Sequence, residues 1–260
     1  IVNLFTGFLL SPDQQITDKN GNQVKSNLQT AYHGVCGVEV DVNKVEFNLE
    51  PWIKYFNQVD ELNRNKKTTM DADFVAADGI ASGIDVSAKY STQRVYLWGA
   101  MGYQKVTYSS IDAKDKIQDY PTPFDTRFNA NAVASYTLGK KKNWDVSARF
   151  NIHSPFPFTQ TQGYYENINM ANLQANPGQT NGEPGVIYAD QINGGRLSWY
   201  HRLDLSVKRK FVVTKKSNLE ATFAITNVYN RNNIFYVNRI TNKKIYQLPL
   251  FPSINLTWNF

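Results

Sequence analysis

The sequence holds one cysteine, three histidines and no apolar run near the ~18 residues that a membrane-crossing helix needs. Each scarcity excludes something. Cys36 has no partner in the chain, so no internal disulfide forms. His33, His153 and His201 stand apart, with no second His or Cys at ligand spacing, and no metal or other cofactor is expected. No serine sits in a G-x-S-x-G context, which leaves nucleophilic catalysis unsupported. Without a long apolar run the chain is not a helical membrane protein, although a β-barrel, apolar at every second position only, stays open. Acid is slightly outnumbered: 28 Lys and Arg against 22 Asp and Glu give a net charge of +6. The cations are spread out, Lys140-Lys141-Lys142 being the only dense run, so no nucleic-acid partner is expected. There is no initiator Met and no signal peptide; Ile1-Val2-Asn3-Leu4 opens directly in strand-like sequence. We therefore expect a part of a longer protein.

Aromatics are plentiful, with 15 Tyr and 15 Phe in a chain whose mean hydropathy is −0.46. Their placement follows a period of two. Apolar and polar residues alternate through 38–42, 45–55, 84–90, 144–152, 202–208, 219–226 and 253–260. Segments 94–109 and 126–138 are strand-like with parity blurred by Ala100, Gly102 and Val133, and 1–10 reads as a weaker strand. About ten strands result, and no segment shows a helical period. Soluble sandwiches also alternate, but their strands run nearer five or six residues. Strands of about ten residues with a charged polar face suit a tilted span of a bilayer.

The connections alternate in length. Segments 11–33, 59–79, 110–125, 154–198 and 228–251 are long, whereas 43–44, 91–94, 139–143 and 212–217 are short. Outer-membrane barrels have short periplasmic turns and long extracellular loops. The long segments are then extracellular, and the last strand descends to a periplasmic C-terminus. Segment 154–198, rich in Pro and Gly, is expected to be a structureless outer loop. The expected fold class is all-β, an antiparallel transmembrane outer-membrane β-barrel.

Ile254, Leu256, Trp258 and Phe260 occupy alternate positions up to the last residue. This ending looks like the C-terminal signal read by the barrel assembly machinery. Further stretches resemble the C-terminal part of a TonB-dependent receptor barrel of the type common in Bacteroidetes. They include Asp73-Phe74-Val75-Ala76-Ala77-Asp78-Gly79-Ile80-Ala81-Ser82-Gly83-Ile84-Asp85, Pro123-Phe124-Asp125-Thr126-Arg127-Phe128-Asn129-Ala130-Asn131 and Pro155-Phe156-Pro157-Phe158-Thr159. Tyr200-His201-Arg202-Leu203-Asp204-Leu205-Ser206 and Ala224-Ile225-Thr226-Asn227-Val228-Tyr229-Asn230-Arg231-Asn232-Asn233 complete the set. Thr126 and Phe128 depart from the Asp-Arg-His-Asn more usual in that family. The resemblance implies about 22 strands around a plugged lumen, with residues 1–260 as the C-terminal part and the plug and first strands outside this chain. It further implies ligand capture at outer loops and import energised through TonB, which would contact the missing N-terminal region. Outer-membrane lipid, lipopolysaccharide, a surface lipoprotein and other outer-membrane complex subunits are expected partners. Two alternatives remain: an architectural or assembly subunit of a larger complex, and a small barrel protease or lipase.

Candidate residues follow from parity. Asp145, Arg149, Arg202, Asp204 and Lys208 lie on the expected lumen side, where they would meet a plug through salt bridges and water. The same charges are where a barrel enzyme would carry its site. Tyr164, Tyr165, Trp199 and Tyr200 flank the longest loop and are candidate ligand contacts, Trp199 and Tyr200 reading also as membrane-interface residues. Cys36 shares the parity of Val38 and Val40 and is expected to face lipid.

Overall fold

The structure is a computed structural model and describes residues 16–24, 28–63, 72–111, 116–165, 185–214, 217–238 and 241–260; among them there is no helix. An antiparallel sheet forms the wall. β1 (Thr30–Val35) and β2 (Val38–Val42) lie end to end along β3 (Val45–Leu62). The sheet then continues through β4 (Phe74–Ser91), β5 (Val95–Ile111), β7 (Phe128–Leu138), β8 (Trp144–His153), β13 (Tyr200–Val212), β14 (Asn218–Thr226) and β17 (Phe251–Asn259). Each strand pairs with the next long strand in the chain, which makes the wall an up-and-down meander. The strand expected at 1–10 lies outside the described residues.

The long connections are not structureless where they are described. β6 (Ile117–Pro121) extends the pairing of upper β5. Within 154–198, β9 (Pro157–Phe158) pairs with β12 (Gly195–Arg196), and β10 (Thr161–Tyr165) with β11 (Gly185–Tyr188). β15 (Ile234–Asn238) and β16 (Lys243–Tyr246) form a hairpin between β14 and β17. The expectation of an irregular loop over 154–198 missed its two ribbons because each is short and its partner is remote in sequence.

Register sorts the wall into two faces. One row runs Ala88, Gly99, Ala132 and Phe150, and another runs Val207, Phe223 and Ile254. This face is apolar and open: Leu97, Met101, Tyr136, Phe223, Ile254, Leu256 and Trp258 are all exposed. Cys36, whose amide bonds the Pro51 carbonyl, lies between Gly34 and Val38 on the same face and is exposed. A water-soluble monomer of 29.7 kDa has about 11,600 Å² of accessible surface, whereas this chain has 17,659 Å². The exposed apolar face of the wall contributes to that excess.

Aromatic rows bound that face. Tyr32, Tyr55, Tyr103 and Phe128 mark the long-loop margin, Tyr32 opposite Tyr55 and Tyr103 opposite Phe128. Tyr90, Tyr136, Trp144, Phe211 and Trp258 mark the short-turn margin. On β5 the interval from Tyr103 to Val95, the partner of Tyr136, is eight residue steps. At ~3.4 Å per step and ~40° of tilt this projects to roughly 21 Å, near the ~25 Å apolar band of an outer-membrane barrel. Above Tyr103 the same face of β5 turns polar with Lys105 and Thr107. Strands β3, β4 and β5 therefore project beyond the apolar band. β3 carries an extra residue there: Gln58 pairs with Thr30 and Phe56 with Ala31, leaving Asn57 unpaired in a bulge.

The small buried core sits on the opposite face of these projecting ends. Val59, Ala77, Ala81, Val106, Tyr108, Tyr120 and Ile192 form it, with Trp52 and Phe56 against it. Two glycines make room for its rings. A Cβ on Gly79 would lie 2.5 Å from the Tyr108 ring, and one on Gly83 would lie 2.7 Å from Trp52. Burial, with the Glu61 carboxylate adding to it, pushes the Tyr108 phenol up to about 12.

Candidate functional site: a cleft at the long-loop end

The five charged residues singled out from parity do share the polar face. Asp145 is opposite Lys208 and Arg149 is opposite Asp204. Asp145 accepts a hydrogen bond from the Thr137 hydroxyl at 2.6 Å, and Lys208 Nζ lies 3.8 Å from Asp145 and 4.0 Å from Glu220. Arg202 pairs with Asp204 at 2.9 Å. Ser147 and Ser206 hydroxyls meet at 2.7 Å, and Trp52 Nε1 donates to Asp85 at 2.8 Å. Apart from Arg202–Asp204, which lies along β13, these are cross-strand contacts between polar side chains. Ala100, Gly102 and Val133, which blur the alternation, belong to this polar face as well. At Gly102 the missing side chain admits the Asp85 carboxylate and the Asn129 amide.

Above the wall, three buried polar clamps root the loops. Asp125, wholly buried, accepts from the Val106 amide at 2.9 Å, from Arg127 Nε at 2.6 Å and from Arg196 Nη2 at 2.9 Å. Arg196 Nη1 also donates to the carbonyls of Asp125 and Pro155. This ties both ends of the longest loop to the β6–β7 link. Asn193 donates to the Pro121 carbonyl and exchanges bonds with Thr159 Oγ1. The third clamp is the left-handed residue Asn227, φ 55°. Its side chain bonds the Arg231 amide and carbonyl and the Leu248 carbonyl, while its own amide bonds Asp204. Asn233 bonds both the amide and the carbonyl of His201.

Between the rooted loops lie two adjoining hollows. One, about 490 Å³, is lined by Phe158, Thr159, Gln160, Tyr164, Val237 and Asn242 among others. The second, about 280 Å³, shares Phe158 and Val237 and adds Phe156, Leu197, Phe235 and Tyr236. The described lining residues include no charged side chain. A cleft of aromatic rings, hydroxyls and side-chain amides offers stacking and neutral hydrogen bonding.

The four aromatic candidates separate. Tyr164 lines the larger hollow. Tyr165 is exposed beside it on β10 and does not line either hollow. Trp199 packs on Phe128 at 6.3 Å, at the upper margin of the apolar face. Tyr200 is on the other face, stacked on His153 at 4.6 Å and 11°. Adjacent residues of an extended chain take opposite faces, so the Trp199-Tyr200 pair divides between them. Phe235 and Tyr236 were missed, because β15 carries no signal beyond its aromatics. Ile254, Leu256 and Trp258 project from the apolar face of β17, and Phe260 follows at its end, fully exposed.

No family model matches the sequence, and no curated protein matches it. Solved structures do. The ferripyoverdine receptor of the Pseudomonas aeruginosa outer membrane aligns over 94% of this chain at a TM-score of 0.58 and 13% identity. BauA, the ferric preacinetobactin receptor of Acinetobacter baumannii, aligns over 95% at 0.60 and 15%. Fiu, the ferric-catecholate import receptor of E. coli K12, aligns over 97% at 0.58 and 11%. The wall has the fold of a receptor barrel. Those alignments cover only 29%, 32% and 30% of the receptors' own lengths, so this chain spans about a third or less of them.

Proposed function

We propose that this chain is the C-terminal part of the barrel of a TonB-dependent outer-membrane receptor of the Bacteroidetes type, which captures ligand at the long-loop end and imports it. The observation that carries this is the wall itself: a meander with one open apolar face, bounded by two aromatic rows, joined by long connections at one end only. In lipid every backbone group needs a partner, which suits a sheet completed into a closed barrel by further strands. The remainder of the protein would supply those strands, a plug against the polar face, and the contact with TonB. The long loops are extracellular in this reading and the C-terminus periplasmic. No covalent chemistry is required. Two of the similar receptors are those for ferripyoverdine and ferric preacinetobactin; the hollows here, with aromatic and amide linings, fit a neutral ligand with a flat face, such as a sugar or a peptide.

Topology is tested on intact cells with an impermeant thiol reagent in a Cys36→Ala background. Gln162→Cys, exposed on the β10 side of the cleft, is expected to label on whole cells. Lys141→Cys, in the β7–β8 turn, is expected to label only once the outer membrane is opened. Reversed labelling overturns the orientation and the receptor reading with it.

A further inference from the structure

The short-turn margin of the wall has a chemistry of its own. Turns 43–44, 92–94 and 139–143 carry five cations, Lys44, Arg94, Lys140, Lys141 and Lys142, and no acidic residue. Next to the third turn, Arg209 pairs with Trp144, and the Lys210 amide bonds the Asn143 carbonyl. Between the two aromatic rows Arg209 is the one charged residue among the paired positions of the apolar face. Its guanidinium lies over Trp144 at 4.7 Å and over Phe211 at 4.5 Å. The rings cover Arg209 Nε, which has no hydrogen-bond partner. A cation held at the aromatic row, with basic turns beside it, is complementary to an anionic headgroup.

Above it the apolar face is hollowed. A groove of about 410 Å³ runs across β4, β5, β7 and β8, walled by Tyr90, Leu97, Phe150 and Leu203 over a floor that includes Ala132 and Ala134. Ala148, at its margin, is four residues along β8 from Trp144. At ~3.4 Å per residue and the same ~40° of tilt that is roughly 10 Å of depth, within the ~15 Å that half of a ~30 Å hydrocarbon core allows. A headgroup at Arg209 therefore places its own acyl chain at the groove.

We infer that this margin binds an anionic glycerophospholipid of the periplasmic leaflet, its phosphate on Arg209 and Lys140–Lys142 and one acyl chain in the groove. The inference rests on the membrane-barrel reading above. Arg209 fixes the lateral position, the lysines add long-range attraction, and the groove takes the chain.

The test uses the full-length protein in a neutral detergent and native mass spectrometry with two probes of identical chains, phosphatidylglycerol and phosphatidylcholine. Phosphatidylglycerol is expected to stay bound under activation that strips phosphatidylcholine. Arg209→Gln is expected to lower its retention roughly fivefold, and the triple change K140Q/K141Q/K142Q more than tenfold. Ala132→Leu, which fills the groove, is expected to lower retention of both lipids. Equal retention of the two lipids by the wild type overturns the proposal. So does unchanged phosphatidylglycerol retention in the triple variant, whose changes lie in an exposed turn outside the wall. The heat-dependent gel shift of the same sample separates the two readings. Its absence in the wild type refutes the membrane barrel; its presence without anionic preference refutes the lipid site alone.

Discussion

Removing the Asp125 carboxylate is expected to release the root of the longest loop while the wall stays folded. The carboxylate is wholly buried and bonds one amide and two guanidiniums. Asp125→Ala leaves the two guanidiniums without their anion and the Val106 amide without its acceptor; because Arg127 and Arg196 stay about a third exposed, the cost is about 1–3 kcal/mol. The penalty falls on local opening, because the clamp stands above the apolar band. The Leu197 amide, bonded to the Phe156 carbonyl at 3.0 Å, reports that opening. At ~1.4 kcal/mol per decade, its hydrogen exchange should accelerate by roughly one to two orders of magnitude. The Val207 amide, in mid-wall, should be unchanged. Exchange measured on peptides covering the two sites gives both numbers from one sample. If Leu197 exchanges at the wild-type rate in Asp125→Ala, the clamp does not hold the loop and the reasoning fails. Uniform acceleration at both sites would instead mean that Asp125 supports the whole wall, which also refutes it.

Two further substitutions probe the faces. Leu205→Lys, mid-band between Ala148 and Ile225, should destabilise the assembled barrel by about 2–4 kcal/mol, and Ser206→Lys on the polar face by far less; equal effects on the gel-shift temperature would contradict the assignment of faces. Gly83→Ala forces a Cβ to 2.7 Å from Trp52 and 2.9 Å from the Tyr103 carbonyl. Overpacking of this kind costs about 1–3 kcal/mol, and the loss should shrink in a Trp52→Leu background, read as a double-mutant cycle in thermal melts.

Most of the wall was legible because each strand in lipid must be apolar on one face, so a period of two survives even in a hydrophilic chain. Leu203, Leu205 and Val207 against Asp204, Ser206 and Lys208 state both faces outright. Legibility failed where the polar face drops its polarity. Gly102 is small because the Asp85 carboxylate and the Asn129 amide occupy its space, and no local pattern encodes a neighbour's need for room. The loop end was read least well. Asp125 and Arg196 are 71 residues apart, and nothing in either stretch names the other. The motif Asn227–Asn233 was singled out by resemblance, yet its clamping role depends on Leu248 and His201, which only the fold brings near. Tyr164 was found by its aromatic content alone; Phe235 and Tyr236, across the cleft, were not.

The bulge at Asn57 sets a rule for how such a chain tolerates change in length. A single residue inserted within the apolar band would send every side chain beyond it to the wrong face. At Asn57 the strand already carries its extra residue, above the band and beside polar neighbours. Insertions and deletions in related genes should therefore fall in pairs or not at all between the two aromatic rows, and freely, one residue at a time, above the upper one. The wall would keep its arithmetic while the loops drift in length, so that lineages diverge at the loop end without altering the alternation between the two aromatic rows.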